Sequence, residues 1–105
     1  MRTRRVYYRD YGIADQEKKK LLKYCRYLPN REKDLLQQVA EIINPDISGS
    51  LIISLVLGKS YEKVNEMGTV YLGREDFYGY QRLVLVNFRR LLIRLGIYPF
   101  INERW

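Results

Sequence analysis

Leu51-Ile52-Ile53-Ser54-Leu55-Val56-Leu57-Gly58-Lys59-Ser60-Tyr61-Glu62-Lys63-Val64 is the stretch on which the reading of the fold turns. Its first seven residues are apolar nearly all round, the pattern of a central helix, and Gly58 supplies a left-handed stop. Ser60 then offers an N-cap for a short helix over 61–67, which Gly68 closes. The following Thr69-Val70-Tyr71-Leu72 is β-prone, but a lone strand has no partner, so it reads as loop. Beyond it the spacing predicts the longest helix, from 74 to about 95, with Gly79 inside it.

Working outward, residues 1–12 form an arm in which arginines alternate with tyrosines and no helical period is visible. Asp15 offers an N-cap to a helix over 16–27, with Leu21, Leu22, Cys25 and Leu28 on one side and Lys18, Lys19 and Lys20 in its first turn, where they oppose the helix dipole. Pro29 ends it and Asn30 caps the next, whose Leu35, Leu36, Val39, Ala40, Ile42 and Ile43 make a stripe that must be buried. Asn44-Pro45 reads as N-cap and first helical residue of the helix that runs to about Leu57. The expectation is all-α: a small bundle of four to five helices containing a helix-turn-helix over 51–92, in one domain of 105 residues.

At steps of about 100° per residue, Phe77, Tyr80, Val84, Phe88, Leu91, Leu92 and Leu95 share one arc of the last helix, which faces the core. Tyr78, Arg82 and Arg89 fall on a narrow stripe beside it, with Gln81 at its edge. Leu83, Val86 and Ile93 form a second apolar side, so this helix is either covered twice or offers a partner interface there.

Composition narrows the function. Hydrophobic residues are 47% and charged residues 30% of the chain, which excludes disorder, and no apolar run approaches the ~20 residues a membrane span needs. With a charged, aromatic N-terminus in place of a signal peptide, the expected location is cytoplasmic. There is no histidine, only one cysteine, and no phosphate-loop pattern. The carboxylates Asp10, Asp15, Glu62, Glu66, Glu75 and Asp76 are scattered, mostly where helix starts favour negative charge. The expectation is therefore no enzyme, no cofactor, no metal and no small-molecule substrate, with Cys25 a buried or half-buried thiol.

The net charge of +7 is unevenly placed: residues 1–33 carry 11 basic and 4 acidic side chains, 34–73 carry 2 and 5, and 74–105 carry 6 and 3. Basic flanks around an acidic middle suit a polyanion, because each cation near a phosphate releases a counterion. The same charges would also keep a protein soluble.

Gly58-Lys59-Ser60-Tyr61-Glu62-Lys63-Val64 resembles the helix-turn-helix of region four of bacterial sigma factors, and the stretch 51–92 is similar to phage-type transcription regulators of the ArpU and RinA kind. The resemblance implies that Ser60 caps the first motif helix, that Val64 is its core contact, and that 74–82 open the recognition helix. The joining segment, 68–73, is longer than the about three or four residues of a tight motif, and Asn65 and Glu66 depart from the small residue expected there.

On this reading Arg74, Gln81 and Arg82 contact base edges, Tyr78 stacks or meets a phosphate, and Arg89 meets the backbone. Either Arg2, Arg4 and Arg5 would lie in a minor groove or Tyr7 and Tyr8 would stack on single-stranded bases, and Lys18, Lys19 and Lys20 would contact phosphates. The implied partner is duplex DNA, read by a homodimer or alongside RNA polymerase, with Leu83, Val86 and Ile93 as partner interface. Two alternatives stay open. In one the arginines lie along a half-buried helix with their tyrosines in the core; in the other the chain is a protein-interaction module, a phage or mobile-element adaptor or inhibitor that binds no nucleic acid.

Overall fold

The side-chain periods resolve into five α-helices, with no strand among the described residues. The computed structural model describes residues 6–68 and 70–104. A 3-10 turn, Tyr8–Tyr11, is followed by α1 (Asp15–Cys25), α2 (Asn30–Ile43), α3 (Ser48–Leu57), α4 (Tyr61–Glu66) and α5 (Arg74–Arg94).

In α1, Glu17, Leu21 and Cys25 recur every four residues and are all buried, which sets this face against the core. The N-cap is Ala14 and not Asp15; Asp15 instead joins Glu17 in the first turn, where negative charge suits the dipole. In α2, Leu36, Val39 and Ala40 are buried as expected, but Ile42 is 81% exposed. It stands one step beyond the edge of the stripe.

The start of α3 is a correction. Oδ1 of Asn44 accepts from the amide of Asp46 at 3.2 Å, a side-chain turn that holds Pro45 and Asp46 outside the helix. The helix therefore begins at Ser48, three residues later than Asn44-Pro45 predicts. It ends as expected, at Gly58 with φ of 67°. Ser60 caps α4 by accepting from the Lys63 amide.

The central element is α5, with α2 and α3 packed against it. Phe77, Val84, Phe88 and Leu92 are fully buried on the expected arc, whereas Leu95 at its end is exposed. The second apolar side is also largely covered: Leu83 and Val86 are buried and only Ile93 is open, at 36%. Leu83 and Val86 are therefore core residues and not a partner interface. On that side of α5 lies the described part of the N-terminal segment that the sequence presents as an arm. The 3-10 turn packs on α1 and α5, its Tyr8 within 5.8 Å of the Arg82 guanidinium and its Tyr11 within 5.8 Å of that of Arg90; helical spacing places Leu83 and Val86 on this same side of α5.

At the other end Gly96, with φ of 73°, reverses the chain, and Tyr98 returns to the core at 5% exposure. Its ring meets Phe100 edge-on at 5.6 Å, and Phe100 meets Tyr24 at 5.9 Å. The C-terminal turn is thereby fastened to α1. No helix among the described residues is long and apolar enough to cross a membrane.

Candidate nucleic-acid interface

Lys18, Leu22 and Arg26 are spaced by four, so they form one ridge along the outer side of α1. Facing it, α5 presents Tyr78, Gln81 and Arg82. Two cavities lie between these walls. One, about 470 Å³, is lined by the 3-10 segment at Tyr7, Tyr8 and Arg9, by Lys18 of α1 and by Arg82 of α5. The other, about 210 Å³, is lined by Leu22 and Arg26, by Tyr78 and Gln81, and at its floor by Ser54, Leu55 and the Gly58-Lys59-Ser60 bend. They share no lining residue; set about one helical turn apart along the same two helices, they form a groove in two parts, whose α1 side runs from Lys18 to Arg26.

Charge is concentrated in that groove. Its described lining residues include Arg9, Lys18, Arg26, Lys59 and Arg82, against one carboxylate, Asp15. The cations are seated on aromatic faces: Lys18 lies 5.5 Å from the Tyr8 ring centroid, while Arg82 reaches both Tyr7 and Tyr8, at 5.9 and 5.8 Å. Such contacts orient the cations and leave their charge intact. Burial pushes the Tyr8 phenol above its ordinary value, the Arg82 charge pulling the other way, so Tyr8 stays a neutral phenol beside Arg82. Arg26 lies across Gly58 so closely that a Cβ at that glycine would stand 2.8 Å from its Nε.

The polar residues on the α5 wall are largely engaged in the fold. Gln81 donates to Ser54 Oγ at 2.9 Å, and Ser54 donates onward to the Lys59 carbonyl at 2.6 Å. The Tyr78 hydroxyl accepts from the Tyr61 amide at 2.9 Å, while the Tyr61 hydroxyl donates to the Leu72 carbonyl at 2.7 Å. These bonds fasten the start of α4 onto α5 and Leu72 onto α4. Arg74 stays exposed at the front of α5, 3.3 Å from Glu62 and 5.8 Å from the Tyr78 ring.

Of the sequence-predicted contacts, then, Tyr78, Gln81, Arg82 and Lys18 converge on one groove, and Arg74 flanks the α4–α5 junction. They do not form a convex ridge on α5. Lys19 and Lys20 are exposed, with Lys20 paired to Glu103. Arg89 is a correction: it is bonded to the buried Glu17 at 2.7 Å and belongs to the frame of the fold. Arg2, Arg4 and Arg5 lie outside the described residues.

Sequence reasoning missed Arg26 and Lys59. The signal for Arg26 was the i, i+4, i+8 spacing from Lys18, while Lys59 is brought in only by the bend after α3. No group of three or more histidine, cysteine or carboxylate side chains among the described residues is placed to hold a metal. No family model, curated protein or solved structure matches this chain.

Proposed function

We propose that this chain binds nucleic acid along the groove between α1 and α5, by neutralising phosphates with Lys18, Arg26, Lys59 and Arg82 and without performing chemistry on its ligand. The observation that carries the reading is the convergence of those cations, from three separate stretches of sequence, on two adjoining cavities between α1 and α5 that carry Tyr7, Tyr8 and Tyr78 in their walls and, among the described residues, one carboxylate, Asp15. Separated basic residues gathered in this way focus field and attract a polyanion far better than a uniformly solvated surface does. The resemblance of 58–64 to sigma-like regulators supports the same class of ligand and suggests a role in transcription, in a bacterium, phage or mobile element.

The test is ionic strength. Fluorescence anisotropy with labelled oligonucleotides should show log K falling linearly with log salt, at a slope of about −0.7 to −0.9 per phosphate neutralised. Lys18→Ala and Arg26→Ala should each reduce that slope by about one contact. Binding that ignores salt, or equal slopes in the variants, would reject this site.

A second reading has its own observation. An apolar groove of about 350 Å³ lies between α2 and α5, floored by Val39, Ile43 and Leu91 and edged by Ile42, Arg90 and Arg94. An adaptor would seat the apolar face of a partner's amphipathic helix there, and such a hydrophobic association would respond weakly to salt.

A further inference from the structure

We infer that the ligand of the α1–α5 groove is a single strand, with one base stacked at Tyr7 in the larger cavity and the neighbouring phosphates held by Lys18 and Arg26. The inference rests on the nucleic-acid reading above and narrows its substrate class. Reading a duplex requires an element that projects into a groove about 12 Å wide. Here Gln81 is turned inward onto Ser54 and Tyr78 onto the Tyr61 amide, while of the two arginines suited to base edges Arg74 stands beside Glu62 and Arg82 against Tyr7 and Tyr8. The cations of the larger cavity, Arg9, Lys18 and Arg82, come from three different segments around one concavity, an arrangement suited to the flexible backbone of a single strand.

The larger cavity has the second property of single-strand sites, an aromatic platform beside positive charge. Tyr7 is 51% exposed, with guanidinium groups near its ring at 5.3 Å from Arg9 and 5.9 Å from Arg82. At about 470 Å³ the cavity lies within the ~300–1,000 Å³ range of sites that enclose small molecules, enough for one nucleoside. Lys18 to Arg26 spans about 12 Å of helix at 1.5 Å per residue, so the basic ridge continues past that cavity along the path of the backbone.

The probes are labelled dT12, rU12 and a 12-base-pair duplex, compared by anisotropy at low salt on the full chain. A preference of about tenfold or more for either single strand over the duplex is expected, whichever sugar is favoured. Tyr7→Ala should weaken single-strand binding by roughly tenfold and leave the melting temperature unchanged, and Tyr7→Phe should retain binding because the ring remains. Equal or tighter duplex binding, or Tyr7→Ala without effect while Lys18→Ala weakens binding, overturns the single-strand inference but leaves the groove a nucleic-acid site. Absence of binding to all three probes removes the nucleic-acid reading itself.

Discussion

Nε of Arg89 donates a hydrogen bond to Oε2 of Glu17 at 2.7 Å, joining the middle of α5 to the first turn of α1. The Tyr98 hydroxyl donates to the same oxygen, and the Arg89 guanidinium lies 5.5 Å from the Tyr98 ring. The carboxylate is 2% exposed and the arginine side chain 23%, so water reaches the pair from one side only. Burial alone would lower the affinity of Arg89 for its proton, but the bonds to Glu17 and Tyr98 outweigh it and the net displacement is upward. Arg89 therefore remains a cation throughout the working range.

Removing that cation strands a buried carboxylate. Arg89→Ala should lower stability by about 2–3 kcal/mol, less than the ~3–5 kcal/mol of a fully buried pair because Arg89 is partly solvated. Urea denaturation measures this, and oligonucleotide affinity of the folded fraction should be unchanged. Lost affinity with unaltered stability would return Arg89 to the binding surface.

What was legible in the sequence follows from how local each signal is. The short helix after Ser60 could be read because its cap and its stop at Gly68 stand at its two ends, and the long helix from Arg74 because its apolar spacing is sustained, from which the buried arc of Phe77, Val84, Phe88 and Leu92 also follows. The start of α3 was misplaced because Asn44 has two local uses, as a helix cap or as a side-chain turn, and the structure has the turn. Leu83 and Val86 were misread for a different reason. The segment on their side of α5 lies more than 70 positions earlier, and nothing in the Arg-Tyr alternation of the N-terminal segment says where it packs. The groove was half legible: basic and aromatic residues were recognised as candidate contacts, but facing Arg82 toward Lys18 is a tertiary event that periodicity cannot supply.

Gly58 tests the bend beneath Arg26. Its φ of 67° is a left-handed conformation that costs a residue with a Cβ about 1–2 kcal/mol. Gly58→Ala should lower stability by about that much, as read from urea denaturation. The new methyl also displaces the Arg26 guanidinium, whose flexible end can move at little further cost, so affinity should fall less than in Arg26→Ala, which removes the charge. Unchanged stability would contradict the assigned backbone conformation.

Alkaline pH tests the burial of Cys25. The thiol is fully buried, and burial pushes its pKa from 9.0 up to about 12. The unfolded chain then releases the proton first, so stability is intact below about pH 9 and falls between about 9 and 12, by up to ~1.4 kcal/mol per unit from this group. The Tyr8, Tyr24 and Tyr98 phenols, held above their ordinary value of 10.0 chiefly by burial, add losses of the same sign at higher pH. Urea denaturation of the native chain and Cys25→Ala at intervals from pH 8.5 to about 10 should give a shallower decline for the variant. Identical slopes would contradict a thiol sealed from solvent.

Backbone-amide chemical-shift mapping during titration with dT12 at low salt tests the nucleic-acid groove most directly. The account predicts that the largest perturbations fall on Tyr7, Lys18, Leu22, Arg26, Lys59 and Arg82, and that they fade as salt is raised. Perturbations centred instead on Ile42, Leu91 and Arg94, or none at saturating oligonucleotide, would contradict it.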